Sequence, residues 1–296
     1  MQRCGMVTII GRPNVGKSML LNRLIGQKLS ITASKPQTTR NRILGIRTEG
    51  TDQIIYVDTP GVQMHTPRAL NRLMNREALN ALHDIDVILF VAEAARWHEA
   101  DKFVLEQLDF MATPVILVVN KVDVVKQKHQ LLPDLNNKAA LAAFADVVPV
   151  SALCGDNTEA LQRCIAARLP AREHLFPDDQ VSDRSERFFV AEMIREKVIR
   201  LLGQELPYST SVVIEEFEEQ PAIANIAAVI WVERQGQKPI VIGSDGKMLK
   251  RIGVQARRDI EQFLGKKVFL QTWVKVKENW ADDDTLLRQL GLETLP

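Results

Sequence analysis

Short apolar runs alternate with amphipathic stretches along the first 169 residues of the chain. The runs are rich in Val and Ile, which is typical of buried strands. The predicted strands are Val7–Ile10, Arg42–Thr48, Gln53–Val57, Val87–Val91, Val115–Asn120 and Val147–Val150. The predicted helices between them are Met19–Ile25, Ala69–Leu82, Lys102–Phe110, Leu135–Phe144 and Thr158–Arg168. This alternation predicts an α/β domain with a mostly parallel sheet and functional residues at the carboxyl ends of its strands.

The pattern breaks between Pro170 and Glu186, where prolines and acidic residues replace the apolar period. This composition predicts a linker or a docking arm. A smaller α+β unit follows, with the order helix, strand, strand, helix, helix, strand. We therefore divide the chain into a first domain at 1–169, a linker at 170–190 and a second domain with a C-terminal extension at 191–296.

Composition narrows the class of protein only slightly. The chain has 296 residues and a net charge of +1, so overall charge indicates no partner. Its three cysteines lack C-x-x-C spacing, which argues against a disulfide framework and a zinc site. No apolar run approaches the roughly 20 residues of a membrane span. The first strand also begins too early to leave room for a cleavable signal, so we expect a cytoplasmic protein.

The first predicted strand runs directly into a glycine loop. Its eight residues fit the pattern G-x-x-x-x-G-K-[ST] and are Gly11, Arg12, Pro13, Asn14, Val15, Gly16, Lys17 and Ser18. Such a loop points successive backbone N–H groups at one phosphate, next to the positive end of a helix. Lys17 is expected to reach the β- and γ-phosphates, and the Ser18 hydroxyl to ligate Mg²⁺. The stretch predicts a P-loop nucleotide-phosphate site.

A second polar motif follows the third predicted strand. It reads Asp58, Thr59, Pro60 and Gly61. A carboxylate at this strand end can hold Mg²⁺ through water, and Gly61 can offer its N–H to a γ-phosphate with no side chain in the way. The next residue is Val62, where many GTPases place a glutamine that orients the attacking water. Gln37, Arg40 and Gln63 remain open as alternatives for that task.

Two further strand ends carry the signal for guanine. The first has Asn120, Lys121, Val122 and Asp123, and the second has Ser151 and Ala152. A carboxylate at Asp123 can accept from both N1–H and the N2 amino group of guanine, which adenine does not offer. Lys121 would lie along the base, Asn120 would tie the loops together, and the Ala152 N–H could reach guanine O6.

The polar stretch Ser34–Ile43 is predicted to be a mobile switch loop. A threonine hydroxyl here could close over Mg²⁺ while a γ-phosphate is present and release it after hydrolysis. Thr39 is the preferred candidate and Thr38 is a competitor.

The second unit contains Gly243-x-x-Gly246 after an apolar run and before an amphipathic helix, which is the KH pattern for clamping about four nucleotides. The candidate RNA-binding residues are Gly243, Ser244, Gly246, Lys247, Lys250 and Arg251. From Glu233 to Glu278 there are eleven Lys or Arg and five Asp or Glu, a local excess of +6. Asp245 departs from this trend because it would repel a backbone phosphate. Trp273 and Trp280 are interpreted as packing residues rather than base-stacking ones.

Together, these motifs and Pro36-Gln37-Thr38-Thr39-Arg40 resemble the Era family of bacterial GTPases, along essentially the whole chain. The resemblance implies a P-loop NTPase domain followed by a type II KH domain. It implies GTP hydrolysis to GDP, with Lys17, Thr39 and Gly61 as catalytic residues and Mg²⁺ held by Ser18, Thr39 and Asp58. It also implies a potassium ion at Asn14.

The resemblance implies partners as well. These are the 3′ end of 16S rRNA and the small (30S) ribosomal subunit, whose maturation the protein would assist as a monomer with peripheral association at the inner membrane. One alternative is a GTP-regulated RNA-binding module with negligible turnover, which Val62 keeps open. Another is a tRNA-modification GTPase, ranked lower because this chain carries a KH unit and ends in Leu-Pro rather than a reactive cysteine.

Overall fold

A computed structural model describes residues 2–33, 35, 38–66, 68–110, 113–203 and 206–290. Ser34, Pro36 and Gln37 of the predicted switch loop lie outside the described residues. Contacts divide the chain into two units. The first holds Met1–Ser30, Thr39–Pro67 and Asn71–Asp183, and the second holds Ile31–Thr38, Arg68–Leu70 and Arg184–Pro296.

The first unit is built on one six-stranded sheet. Its strands are β1 Arg3–Ile10, β2 Ile43–Glu49, β3 Asp52–Asp58, β4 Val87–Glu93, β5 Val115–Asn120 and β6 Asp146–Pro149. They lie in the order β2-β3-β1-β4-β5-β6, and all neighbours are parallel except β2 with β3. The helices of this part of the chain are α1 Lys17–Ile25, α2 Ala69–Asn80, α3 Glu99–Leu105, α4 Leu131–Ala139 and α5 Thr158–Ala166. The predicted α/β class with a mostly parallel sheet is confirmed.

The sheet is buried on both faces. All seven residues of β4 are buried: Leu89 and Val91 belong to the same core cluster as residues of α1 and α5, and Ile88 and Phe90 belong to the cluster on the other face. A strand covered on both sides needs apolar residues at every position, which is why these strands read as continuous apolar runs.

Helices α1, α3 and α4 begin earlier than the sequence predicted, and α3 and α4 show why. In α3 the Asp101 carboxylate accepts the backbone N–H of His98, 3.0 Å away, and this reciprocal cap fixes the start at Glu99. In α4 Pro133 stands in the first turn, where its missing N–H has no intrahelical partner to lose. The proline therefore begins this helix rather than preceding it.

The segment between 170 and 183 is a docking arm along the first sheet. The Ile46 N–H on β2 donates to Val181 O at 2.8 Å, and Ser182 Oγ donates to Leu44 O at 2.6 Å. Further along, the side-chain oxygen of Gln53 accepts the backbone N–H groups of Leu175 and Phe176. Because β2 is the last strand of the sheet, these bonds satisfy backbone groups that would otherwise be unpaired.

The second unit packs helices against a three-stranded sheet. Its elements are α6 Glu186–Leu201, β7 Thr210–Glu219, β8 Ile223–Val232, α7 Lys238–Ile242, α8 Lys247–Leu264, β9 Lys267–Val276 and α9 Asp284–Gln289. The sheet order is β7-β8-β9, with β7 antiparallel and β9 parallel to β8. Helix α6 starts at Glu186 because Ser185 caps it by accepting the Phe188 N–H, so the helix includes residues 186–190 of the predicted linker.

The two tryptophans of the second unit differ in environment. Trp280 is fully buried and donates its ring N–H to Ser209 O, which fits the packing role predicted for it. Trp273 lies on β9 with 44% of its surface exposed, so it packs only in part. Over the described residues, no helix combines the length and apolar character needed to cross a bilayer.

We expect Ile194→Ala to destabilise the second unit by about 2–4 kcal/mol, because Ile194 is fully buried between α6 and the sheet and its loss leaves a cavity. Denaturant unfolding would measure the change. The matched control is Ile240→Ala, since Ile240 is 53% exposed and should cost under about 0.5 kcal/mol. Equal losses in the two variants would contradict this packing.

Candidate functional site

The phosphate loop lies between the end of β1 and the start of α1. Lys17 is buried, and its Nζ donates to Gly11 O at 2.9 Å and to Arg12 O at 3.0 Å. Burial lowers the pKa of Lys17 to about 8, against the opposing attraction of Asp58. The loop therefore holds a desolvated ammonium group folded over its own carbonyls. A bound phosphate would supply a direct anionic partner, which this group does not have among the described residues.

Three predicted metal-site residues meet at one point. Ser18 Oγ lies 2.6 Å from Thr39 Oγ1 and donates to Asp58 Oδ2 at 2.9 Å. Asp58 is fully buried, and among the described residues its Oδ1 has no hydrogen-bond partner. Burial raises the pKa of this carboxyl, while Ser30 and Lys17 oppose the rise. Hydroxyl and carboxylate oxygens with one orphaned acceptor are a donor set that fits Mg²⁺.

Ser30 is a member of this cluster that sequence reasoning missed. Its hydroxyl donates to Asp58 Oδ2 at 2.8 Å, and its backbone N–H donates to Asn22 Oδ1. Nothing in the sequence marks it, because it stands in the loop after α1, outside every motif. Its role depends on a contact with a residue 28 positions away.

Gly61 and Val62 take different places at the phosphate loop. A Cβ at Gly61 would lie 2.7 Å from the backbone nitrogen of Pro13, so only glycine allows this close approach. Val62 donates its N–H to Gly11 O, but its side chain is fully buried in the core with Ile10. Only the backbone of Val62 can therefore contribute to a nucleotide site.

Two of the three alternatives for orienting water, Arg40 and Gln63, lie within the described residues. The backbone of Gln63 is tied to Asn75 by two hydrogen bonds, of 2.9 and 2.6 Å. Arg40 is buried, with 3% exposure, and Gln37 lies outside the described residues. The Thr59 hydroxyl donates to Ile9 O at 2.8 Å and so belongs to the scaffold.

Asn120 joins the loops on the guanine side. Its Nδ2 donates to Val15 O at 2.8 Å, and its Oδ1 accepts the Ala152 N–H at 3.0 Å. The predicted tie between loops is present. The Ala152 N–H, predicted for guanine O6, is engaged by Asn120, so contact with a base would require sharing this donor. The Asp123 carboxylate is exposed and accepts the Ser151 hydroxyl at 2.6 Å.

The Arg12 side chain belongs to a charged network that the sequence did not reveal. Its Nε donates to both oxygens of Asp101 at 3.0 Å, and its NH2 group donates to Glu93 Oε2 at 3.1 Å. Lys121 Nζ lies 3.3 Å from the same Glu93 oxygen. The sequence held a weak indication of this network, because Glu93 is the last residue of a strand at the functional edge of the sheet.

In the second unit, α7 and α8 are separated by the predicted G-x-x-G loop. Gly243 has φ +74°, and a Cβ there would lie 2.7 Å from Met248 Cβ, so the turn requires glycine. Lys247, Lys250 and Arg251 are all exposed on the first turns of α8. Asp245 lies 3.4 Å from Lys247 Nζ, which partly offsets its negative charge.

The segment Ile31–Thr38, which precedes Thr39, is held by α6. Glu196 Oε1 accepts the Thr32 N–H at 3.0 Å, and Arg200 donates to both Thr32 O and Thr32 Oγ1. Lys35 Nζ donates to Ile199 O at 2.7 Å near the end of the helix. Arg195, on the same helix, donates to Thr38 O. Lys35 and Thr38 of the polar loop predicted as mobile, and Thr32 just before it, are thus anchored by bonds that involve charged side chains.

Comparison with protein families gives two matches. Residues 6–121 match a family described as "50S ribosome-binding GTPase", and residues 205–281 match the KH domain. Full-length relatives agree. The chain is 53% identical over 289 residues to GTPase Era of Ectopseudomonas mendocina, covering 98% of this chain and 97% of the relative. It is 54% identical over 290 residues to GTPase Era of Marinobacter nauticus, covering 98% and 95%.

Solved structures agree with the sequence comparison. One is Era in complex with MgGDPNP and nucleotides 1506–1542 of 16S ribosomal RNA, with a TM-score of 0.96 and 37% identity. Another is an Aquifex aeolicus Era variant bound to GDP·AlF₄⁻, with a TM-score of 0.95 and 37% identity. Each covers 99% of this chain and 100% of the solved one.

We expect the affinity for Mg·GDP to fall as pH rises past 8. Free Lys17 has a pKa of about 8, and a bound phosphate raises that pKa, so above pH 8 binding must take up a proton. Affinity should be flat near pH 7 and then decrease by up to about tenfold per pH unit. Calorimetric titrations from pH 7 to 9 would measure it. In Lys17→Ala only the titration of the guanine ring should remain, and an unchanged slope in that variant would contradict the assignment.

We expect Asn120→Ala to weaken GDP binding at least about tenfold, because it frees the phosphate loop and leaves the buried Ala152 N–H without its acceptor. Equilibrium binding of a fluorescent GDP derivative would show the loss. Gln162→Ala is the matched control, since its amide also donates to a backbone carbonyl, Leu24 O, in the same unit. Similar losses in both variants would argue against a specific tie.

Proposed function

Because the chain belongs to the Era family of GTPases, we propose that it is a GTP-driven switch that binds the 3′ end of 16S rRNA and assists maturation of the 30S subunit. GTPase activity and a KH domain follow from the family itself. The RNA target, the coupling between nucleotide and RNA, and the role in assembly are the proposal.

The nucleotide would occupy the loops at the carboxyl edge of the first sheet. The glycine loop and Lys17 would hold the phosphates, while Asp123 and Lys121 would recognise guanine. Mg²⁺, when bound at Ser18, Thr39 and Asp58, would neutralise charge on the β- and γ-phosphates. The orphaned Asp58 Oδ1 supports this assignment, because a buried carboxylate oxygen without a partner is costly unless a ligand or water completes it.

The observation that carries the switch is the anchoring of Ile31–Thr38 on α6. Thr39, the next residue, sits beside Ser18 and Asp58, where a Mg²⁺-bound nucleotide would engage its hydroxyl. A change at Thr39 would act on the residues that precede it, and two of these, Thr32 and Lys35, have partners on the first helix of the KH unit. Loss of the γ-phosphate would release Thr39 and weaken those bonds.

The RNA would bind at the G-x-x-G loop and the basic first turns of α8. The Era structure with nucleotides 1506–1542 of 16S rRNA, 37% identical to this chain, supports the same class of ligand here. The contact of Lys247 with Asp245 reduces the repulsion expected from Asp245, although an exposed pair of this kind contributes little energy.

Three finer points complete the proposal and rest on the family resemblance. The protein would work as a cytoplasmic monomer with peripheral association at the inner membrane. Asn14 would hold a potassium ion that accelerates slow intrinsic hydrolysis. Equal turnover in K⁺ and Na⁺ buffers would remove the potassium ion from the mechanism.

We expect a 16S rRNA 3′-end oligonucleotide to stimulate GTP turnover of the full chain, and Lys250→Ala/Arg251→Ala to raise the RNA concentration needed about tenfold or more. Phosphate release would be measured as a function of oligonucleotide concentration. Arg257→Ala/Arg258→Ala, on the same helix, is the charge-matched control and should shift the curve less. Undetectable phosphate release at saturating RNA would favour the regulatory module with negligible turnover.

We further expect Arg200→Ala to uncouple the two activities. It removes the bonds to Thr32 while touching neither the phosphate loop nor the G-x-x-G loop. Basal turnover and RNA affinity should stay within about twofold of the original chain, and stimulation by RNA should fall severalfold. Arg187→Ala is the control, because Arg187 stands on the same helix but its bonds within the described part of the chain go to two β7 carbonyls, Ile214 O and Glu215 O. Full stimulation in Arg200→Ala would refute the coupling route.

A further inference from the structure

Glu93 connects the phosphate loop with the predicted guanine loop. It is the last residue of β4, and its side chain is 9% exposed. One oxygen, Oε2, accepts from Arg12 at 3.1 Å and lies 3.3 Å from Lys121 Nζ. The other, Oε1, lies 3.5 Å from Arg96, whose side chain is 67% exposed. A single carboxylate thus joins residues from two nucleotide motifs.

The carboxylate is ionised at neutral pH. Burial opposes its ionisation, but Lys121 and Arg12 hold the pKa of Glu93 below its ordinary value. Arg12 is fixed from its other side by the fully buried Asp101, which binds its Nε with both oxygens. Arg12 therefore stays in place without Glu93, whereas Glu93 is the acidic residue paired with Lys121 in the described part of the chain.

Lys121 needs such a restraint because its backbone is strained. Its φ of +65° lies in the left-handed region, which a non-glycine residue adopts at a cost. Its side chain is one-third exposed and long, so several rotamers compete in solution. The ion pair with Glu93 selects one of them.

We propose that Glu93 is a positioning residue for guanine nucleotides, acting by holding the Lys121 side chain in the place where it lies along the base. The inference rests on the proposed contact of Lys121 with guanine. Glu93 would affect nucleotide binding rather than the chemical step, because it touches no reacting atom. Its loss should affect ground state and transition state equally, which raises KM and leaves kcat unchanged.

The test is a double-mutant cycle on the full chain with Glu93→Gln and Lys121→Ala. Glu93→Gln keeps the shape of the side chain and removes its charge. We expect it to weaken GDP binding by about tenfold, mostly through faster dissociation, to raise the KM for GTP similarly and to leave kcat within about twofold. In the Lys121→Ala background the same substitution should cost less than about twofold. Arg96→Ala, which contacts the exposed side of the same carboxylate, is the control and should leave GDP affinity unchanged.

The outcomes separate this inference from the function on which it rests. If Lys121→Ala leaves GDP affinity unchanged, the proposed guanine contact fails. If Lys121→Ala weakens binding but Glu93→Gln does not, the positioning role of Glu93 is overturned. It is also overturned if Glu93→Gln weakens binding by the full tenfold both alone and in the Lys121→Ala background. Urea unfolding without nucleotide would check that each variant is folded. Should Glu93→Gln not fold, Glu93→Asp keeps the charge but is one methylene shorter, and the same cycle with it should show a smaller loss that again vanishes in Lys121→Ala.

Discussion

The amide of Asn120 is the interaction on which the nucleotide site depends. It joins the phosphate loop at Val15, the strand end that carries Lys121 and Asp123, and the loop at Ala152. These loops follow β1, β5 and β6, which run parallel in one sheet and end at the same edge, so the topology brings them close but does not fix their spacing. A buried amide with one donor and one acceptor in use fixes it, because either group left unpaired would be costly.

The same site holds two buried ionisable groups of opposite charge, Lys17 and Asp58. Burial pushes the pKa of Lys17 down and that of Asp58 up, and each partly offsets the shift of the other. A fold selected for stability alone would neutralise both with closer partners. A bound phosphate and a divalent cation would offset the burial of Lys17 and Asp58 respectively, so both ligands would stabilise the charged forms of these side chains.

The candidate residues that the structure brings together at the phosphate loop could largely be found from the sequence, because each motif is local and follows a strand. Fold class and the order of elements in the KH unit followed from the same apolar periods. The features that could not be predicted depend on contacts between residues far apart in the sequence. Ser30 contacts Asp58 and Glu93 contacts Arg12, both far away in the sequence, and Glu196 of α6 contacts Thr32, 164 positions away. That the Val62 side chain faces the core is likewise visible only from packing.

The docking arm has a consequence for the order in which the first unit can be completed. Strand β2 is made early, yet the chain that pairs with its outer edge, ending near Ser182, is synthesised more than 130 residues later. Throughout that interval a growing chain would expose an open strand edge, which is the kind of surface that recruits other chains. Pairing of the arm with β2 is therefore the last step in building this unit, and the same step ends the unit's exposure to aggregation.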